Sequence, residues 1–174
     1  MSAEQAPESG FQVKWELTGR GWARCRLAEG AKEVSLVAGY CTDALADLVA
    51  GAGGVYGEPR TVRFFFDAEP RELRWTLRAT GERVEVTVRG FDDIGVSPDL
   101  PDSEGEVIWR STHPRAVFVH AVLDAARHVL AEHGEAGYRA TWVEHPYPVA
   151  LVQDLRRHHL RDDDCTLPHD LVRP

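Results

Sequence analysis

His120, Asp124 and His128 recur every four residues in RAVFVHAVLDAARHVL, a spacing that sets adjacent members side by side on one helix face. Neighbours on such a face could share a proton, or the carboxylate could orient an imidazole toward a metal. His120 and His128 would be separated by about 12 Å of helix rise, too far to ligate one ion together, so the simpler reading is a solvated polar face. A second group, His158, His159, Asp162, Asp163, Asp164, Cys165 and His169, offers the nitrogen, oxygen and sulfur donors that suit zinc or nickel. Its spacing matches no closed zinc module, and a charged chain end is ordinarily solvated. No metal and no cofactor is therefore expected.

Carboxylates form the third group. Asp67 and Glu69 end one expected strand and Asp92 and Asp93 another, and antiparallel connectivity would bring both ends to one rim of a sheet. Paired carboxylates perform acid-base chemistry when burial separates their pKa values. Turns at a sheet rim recruit Asp for geometry alone, so no residue is assigned as catalytic and the rim is read as a binding edge. Between Asp92 and Glu106 the strand pattern collapses into a loop carrying Asp99, Asp102 and Glu104 besides Asp92 and Asp93. Trp22, out of phase with Ala23 and Cys25, is the tryptophan expected at the surface. The candidate binding set is thus Asp67, Glu69, Asp92, Asp93, Asp99, Asp102, Glu104 and Trp22. Other signatures are missing: neither Lys14 nor Lys32 follows a glycine as a Walker loop requires, and no serine has glycines two residues away on both sides.

Alternation supplies the elements that must position these groups. Phe11, Val13, Trp15 and Leu17 alternate with polar residues, and Gly19-Arg20-Gly21 returns the chain through Ala23, Cys25 and Leu27. Val34, Leu36 and Ala38 make a third strand. Thr42 is placed to cap a short helix whose apolar face is Ala44, Leu45, Leu48, Val49 and Ala52. Val62, Phe64 and Phe66 begin the next strand. Leu73, Trp75 and Leu77 then face Val88, Val86 and Val84 across a hairpin folded about Thr80-Gly81, with Glu72 opposite Arg89. Val107 to Ser111 adds an edge strand. Pro114 opens the longest helix, with Phe118, Val122, Ala125 and Val129 inward and a stop at Gly134. Ala136 to Glu144 fits helix or strand, with helix preferred, and a final amphipathic helix follows Pro148. The expected fold is α+β, a mostly antiparallel sheet of about six strands packed on one face by the short helix and the long C-terminal helix. The expected organisation is a disordered segment over 1–10, one domain over 11–160 and a tail over 161–174.

Composition bounds the rest. The chain has 174 residues, 43% hydrophobic and 28% charged, enough to bury an apolar core without metal or disulfide staples. No apolar run reaches the ~20 residues of a membrane span, the polar start resembles no secretory signal, and three widely spaced cysteines form no disulfide framework. A cytoplasmic, non-membrane protein is expected. A net charge of −8 speaks against nucleic acid, whose phosphates need clustered cations, and leaves basic proteins open as partners.

The segments YCTDALADL, FFFDAEPRELRW and VRGFDD between Gly39 and Asp93, with the later EHGEAGYRATWVEHPYP, resemble an uncharacterised family of bacterial proteins, a domain of unknown function. That resemblance covers most of the chain and implies no established catalytic residue. The layout and charge are also similar to those of small immunity proteins that neutralise secreted toxins, an analogy of architecture. The leading expectation is a non-enzymatic, immunity-like interaction protein that offers its acidic loop to a basic partner. The alternative is a small enzyme or ligand-binding protein with a carboxylate-lined pocket between sheet and helix. A homodimer formed through a sheet edge is the third reading.

Overall fold

A computed structural model of the chain describes residues 10–58, 60–143 and 145–167. Residues 1–9 of the expected N-terminal segment, and His169 of the C-terminal donor group, lie outside the described residues.

The first three alternating segments form an antiparallel sheet of β1 (Phe11–Gly19), β2 (Trp22–Glu29) and β3 (Lys32–Gly39), in that order. Trp15, Cys25 and Leu36 lie in one row across it, and all three are buried. Gly21 turns β1 into β2 at φ 76°, and a Cβ there would sit 2.5 Å from the Tyr40 ring. Its N–H donates to the Thr141 carbonyl at 2.8 Å, which ties this hairpin to the end of a distant helix. α1 (Ala44–Gly54) follows. Asp43, not Thr42, occupies its N-cap, and no side chain caps it. The helix continues through Gly51, where a Cβ would meet the Phe64 ring at 2.5 Å, so the glycine permits close helix–strand packing.

β4 (Thr61–Ala68), β5 (Arg71–Thr80), β6 (Arg83–Phe91) and β7 (Glu106–Pro114) form a second antiparallel sheet. Among the described residues there are thus seven strands in two sheets, of three and four strands, where one sheet of about six was expected. The α+β class stands. Faces of the β5–β6 hairpin are those the alternation implies, since Leu73, Trp75, Leu77, Val84, Val86 and Val88 are all buried. The register differs by two residues. Trp75 pairs with Val88, Leu77 with Val86 and Arg74 with Arg89, because the two-residue turn is Gly81-Glu82, with Gly81 at φ 59°. A slip of two preserves the inward face, whereas a slip of one would have inverted it.

α2 (Arg115–Thr141) is helical on both sides of Gly134, whose φ of 67° and ψ of 171° break it into two segments. The second segment is the helix preferred for Ala136 onward, and it buries Tyr138 and delivers Trp142. α3 (Val149–Asp162) closes the fold against α1 and α2. One aromatic cluster joins the layers: Trp15 of β1 meets Phe66 of β4 edge-on at 5.7 Å and Trp142 at 6.3 Å, while Phe66 and Phe64 lie 5.2 and 5.4 Å from Trp75. The two sheets therefore share one core. No helix among the described residues is long and apolar enough to cross a membrane.

Candidate functional site

Pairing of Asp67 with Glu72, and of Glu72 with Phe91, sets the ends of β4 and β6 at one rim of the four-stranded sheet. The rim is built from turns. Asp67 Oδ1 accepts the Glu69 N–H at 3.0 Å, just before the cis Glu69–Pro70 bond. Asp93 Oδ1 accepts the Gly95 N–H at 2.8 Å, and the Ile94 N–H donates to the Pro70 carbonyl at 2.7 Å. Trp22, 40% exposed, borders the same rim: a Cβ on its strand partner Gly39 would lie 3.3 Å from the Trp22 ring and 3.1 Å from the Asp67 carbonyl. Asp67, Glu69, Asp92, Asp93 and Trp22 therefore share one end of the molecule.

The acidic loop leaves this rim and folds over the outer face of the four-stranded sheet, where Arg74 fastens it. The Arg74 guanidinium donates to Glu72 on its own strand at 2.7 and 3.2 Å, to the Ser97 carbonyl at 2.8 Å, to the Leu100 carbonyl at 2.9 Å and to Asp102 Oδ1 at 3.0 Å. It also lies 4.2 Å from the centre of the Phe91 ring. Ser97 adds a hydroxyl bond to Glu72 at 2.5 Å. Glu72 is 3% exposed, so this carboxylate is tolerable only because its oxygens are paired and hydrogen-bonded. Hydrogen bonding to Glu72, above all, raises the Arg74 pKa. Burial pushes Asp102 upward, but the bonds and charges of Arg74 and Arg63 outweigh it and hold the carboxyl below its ordinary value.

Arg63, Phe64, Phe65, Glu72, Arg74, Pro98 and Asp102 line an open depression of about 370 Å³ beside this anchor, and Phe65 is 40% exposed there. Asp92, Asp99, Glu104 and Glu106 are exposed and make no ion pair among the described residues. Of the expected binding residues, Asp102 thus holds the loop in place, while the others stand on the rim or the loop surface. Arg74 and Ser97 lie outside the binding set expected from the sequence. The alternating Glu72 and Arg74 on one strand carried the only signal for them.

A second polar centre sits where three helices meet. Asp163, just beyond α3, has a side chain 3% exposed. It accepts from Arg115 Nε at 2.8 Å and from the Tyr56 hydroxyl at 2.5 Å, and its Oδ2 lies 3.0 Å from His159 Nδ1. Burial first, then the bond to Asp163, raises the Tyr56 pKa far above the phenolic range. His159 is fully buried and faces His120 of α2, with ring centres 5.8 Å apart. His120 Nε2 lies 3.3 Å from Asp124 Oδ2, and its Nδ1 lies 3.5 Å from Cys165 Sγ. Members of the two histidine groups, separate in sequence, are therefore neighbours in space. His128 is exposed and does not join them.

No family model matches this chain and no curated protein matches it, so the resemblance to an uncharacterised bacterial family finds no counterpart there. Among solved structures, a chain titled "CdiA-CT/CdiI toxin and immunity complex from Enterobacter cloacae" is similar over 70% of this chain and 99% of its own length, at 12% identity and a TM-score of 0.42. The functional reading rests on the residues themselves.

Proposed function

We propose that this chain is a non-enzymatic protein-interaction domain, immunity-like in the sense that it offers an acidic surface to a basic protein in a reducing, cytoplasmic setting. The supporting observation is the Arg74 anchor. Its guanidinium is fixed by Glu72 and binds the loop from Asp92 to Glu106 at Ser97, Leu100 and Asp102. The exposed carboxylates are thus presented on an ordered surface, and little chain entropy remains to be lost on docking. Asp92, Asp93, Asp99 and Glu104, with Asp67, Glu69 and Trp22 along the rim, are the contact residues in this reading, and Asp102 is a positioning residue. Phe65 in the adjoining depression supplies an apolar anchor of the kind that interface centres use.

Charge on an exposed loop acts mainly on encounter rate. The test compares the native chain with the variant Asp92→Asn, Asp93→Asn, Asp99→Asn, Glu104→Gln as bait in lysate of the source organism, followed by association kinetics at two ionic strengths. The expected result is a basic protein retained by the native chain alone, with association slowed about tenfold or more by the variant at low salt. Equal retention by both baits, or an association rate insensitive to salt, would overturn the reading.

A further inference from the structure

We propose that His120, His159 and Cys165 form a binding site for a divalent cation of borderline softness, Zn²⁺ by preference, which fastens the segment after α3 to α2. One donor atom from each residue lies within 4.8 Å of the other two. Bonds of about 2.0–2.1 Å to nitrogen and 2.3 Å to sulfur give tetrahedral donor–donor edges of roughly 3.3–3.6 Å. The Cys165 Sγ to His120 Nδ1 separation of 3.5 Å already matches such an edge. His159 is held by α3 and His120 by α2, both buried, and Cys165 lies on irregular chain just beyond α3.

The outer partners of both imidazoles make the stronger argument. A metal-bound histidine characteristically presents its other nitrogen to a carboxylate, which fixes the ring and raises its basicity. His120 does so through Nε2 to Asp124 at 3.3 Å, leaving Nδ1 toward Cys165. His159 does so through Nδ1 to Asp163 at 3.0 Å, and its Nε2, on the other side of the ring, is buried. Asp163 is fixed in turn by Arg115 and Tyr56, so one ligand is oriented through two layers of bonding. Two nitrogens and one sulfur select Zn²⁺ over the oxygen-seeking Mg²⁺ and Ca²⁺. On binding, the Cys165 thiol releases its proton to solvent as the sulfur–metal bond forms, and both imidazoles bind neutral. Three protein donors leave the fourth tetrahedral position to water. Neither histidine group of the sequence contains this set, which only the packing of α3 on α2 assembles.

The test uses the untagged full-length chain, stripped of metal with a chelator. Zn²⁺ is titrated by calorimetry, and Co²⁺ by absorption, where a thiolate ligand produces an intense near-ultraviolet charge-transfer band. The expected outcome is one equivalent bound, a band of that kind, and a thermal midpoint that rises with free Zn²⁺. Asp124→Asn should weaken Zn²⁺ binding about 10- to 100-fold, Cys165→Ser should weaken it further and abolish the band, and Cys41→Ala should change neither. Circular dichroism of each metal-free variant checks the fold. Titrations without stoichiometric binding, or a C165S variant that binds as the native chain does, would overturn the proposal.

Discussion

Arg74 and Arg115 are equally exposed, with 12% of each side chain accessible, and each pairs with a nearly buried carboxylate, Glu72 at 4% and Asp163 at 3%. Their surroundings differ in reach. Glu72 lies two residues from Arg74 on the same strand, so the pair is assembled once β5 is extended, and its remaining bonds recruit the neighbouring loop. Asp163 is 48 residues from Arg115 and 107 from Tyr56, so that centre exists only when α1, α2 and α3 have docked. One centre orders a loop on a sheet that is already complete. The other joins segments that are far apart in the chain.

The comparison predicts unequal damage. Asp163→Ala leaves the Arg115 guanidinium partly buried without its carboxylate and removes the acceptor for the Tyr56 hydroxyl. Breaking a buried pair from one side costs about 3–5 kcal/mol, and urea unfolding should register a loss of that size in the global transition. A loss below about 1 kcal/mol would mean that the helix junction is held by its apolar contacts alone. Arg74→Met should cost less, about 1–3 kcal/mol, because release of the loop lets water reach the Glu72 carboxylate while the sheet beneath it survives. Its distinguishing effect is local: limited proteolysis should cut between Asp92 and Glu106 much faster than in the native chain. Equal cleavage rates would show that the loop is ordered without Arg74.

A third buried polar group, His113, sharpens the contrast. Its Nε2 lies 2.8 Å from the Ser111 hydroxyl, which accepts the Trp109 indole N–H at 2.7 Å, and its ring stacks on Phe11 at 4.2 Å. Burial, with Arg83 and Lys32 adding to it and Glu29 opposing, holds its pKa below the ordinary 6.5. The folded state then binds fewer protons than the unfolded chain below that value. The stability due to this group is complete above 6.5 and is lost as pH falls through the lower folded value. The urea midpoint should therefore drop between about pH 7.5 and about pH 5, and His113→Gln should reduce the drop.

Strand faces were legible because alternation depends only on neighbouring letters: Trp75 and its row are buried as the pattern implies. Turn position is a weaker signal, since Thr80-Gly81 and Gly81-Glu82 preserve the same inward face, and the hairpin register moved by two residues accordingly. The division into two sheets was not legible either, because α1 stands between β3 and β4 and alternation says nothing about whether strands on its two sides pair. The rim and the loop could be placed from their acids. Their anchor could not, for Arg74 reads as one of several outward arginines until Ser97 and Leu100 are seen against it. The helix junction was the least accessible, because its residues look like solvated helix polarity until partners far along the chain meet.

The smallest effect tests the other side of the comparison. Asp92, Asp99 and Glu104 are exposed, and none is paired with a cation among the described residues. Replacing them, with Asp93, by their amides removes charge but no buried bond, and the side-chain amide of Asp93→Asn keeps an oxygen for the Gly95 N–H. Substitutions at such surface sites usually change stability by no more than about 0.5 kcal/mol each. On a chain of net charge −8, relief of self-repulsion would make any small change stabilising. The urea midpoint of the variant should thus equal or slightly exceed the native value. A clear loss would show that these carboxylates support the fold as Glu72 and Asp163 do, and it would remove the ground for reading them as a surface reserved for a partner.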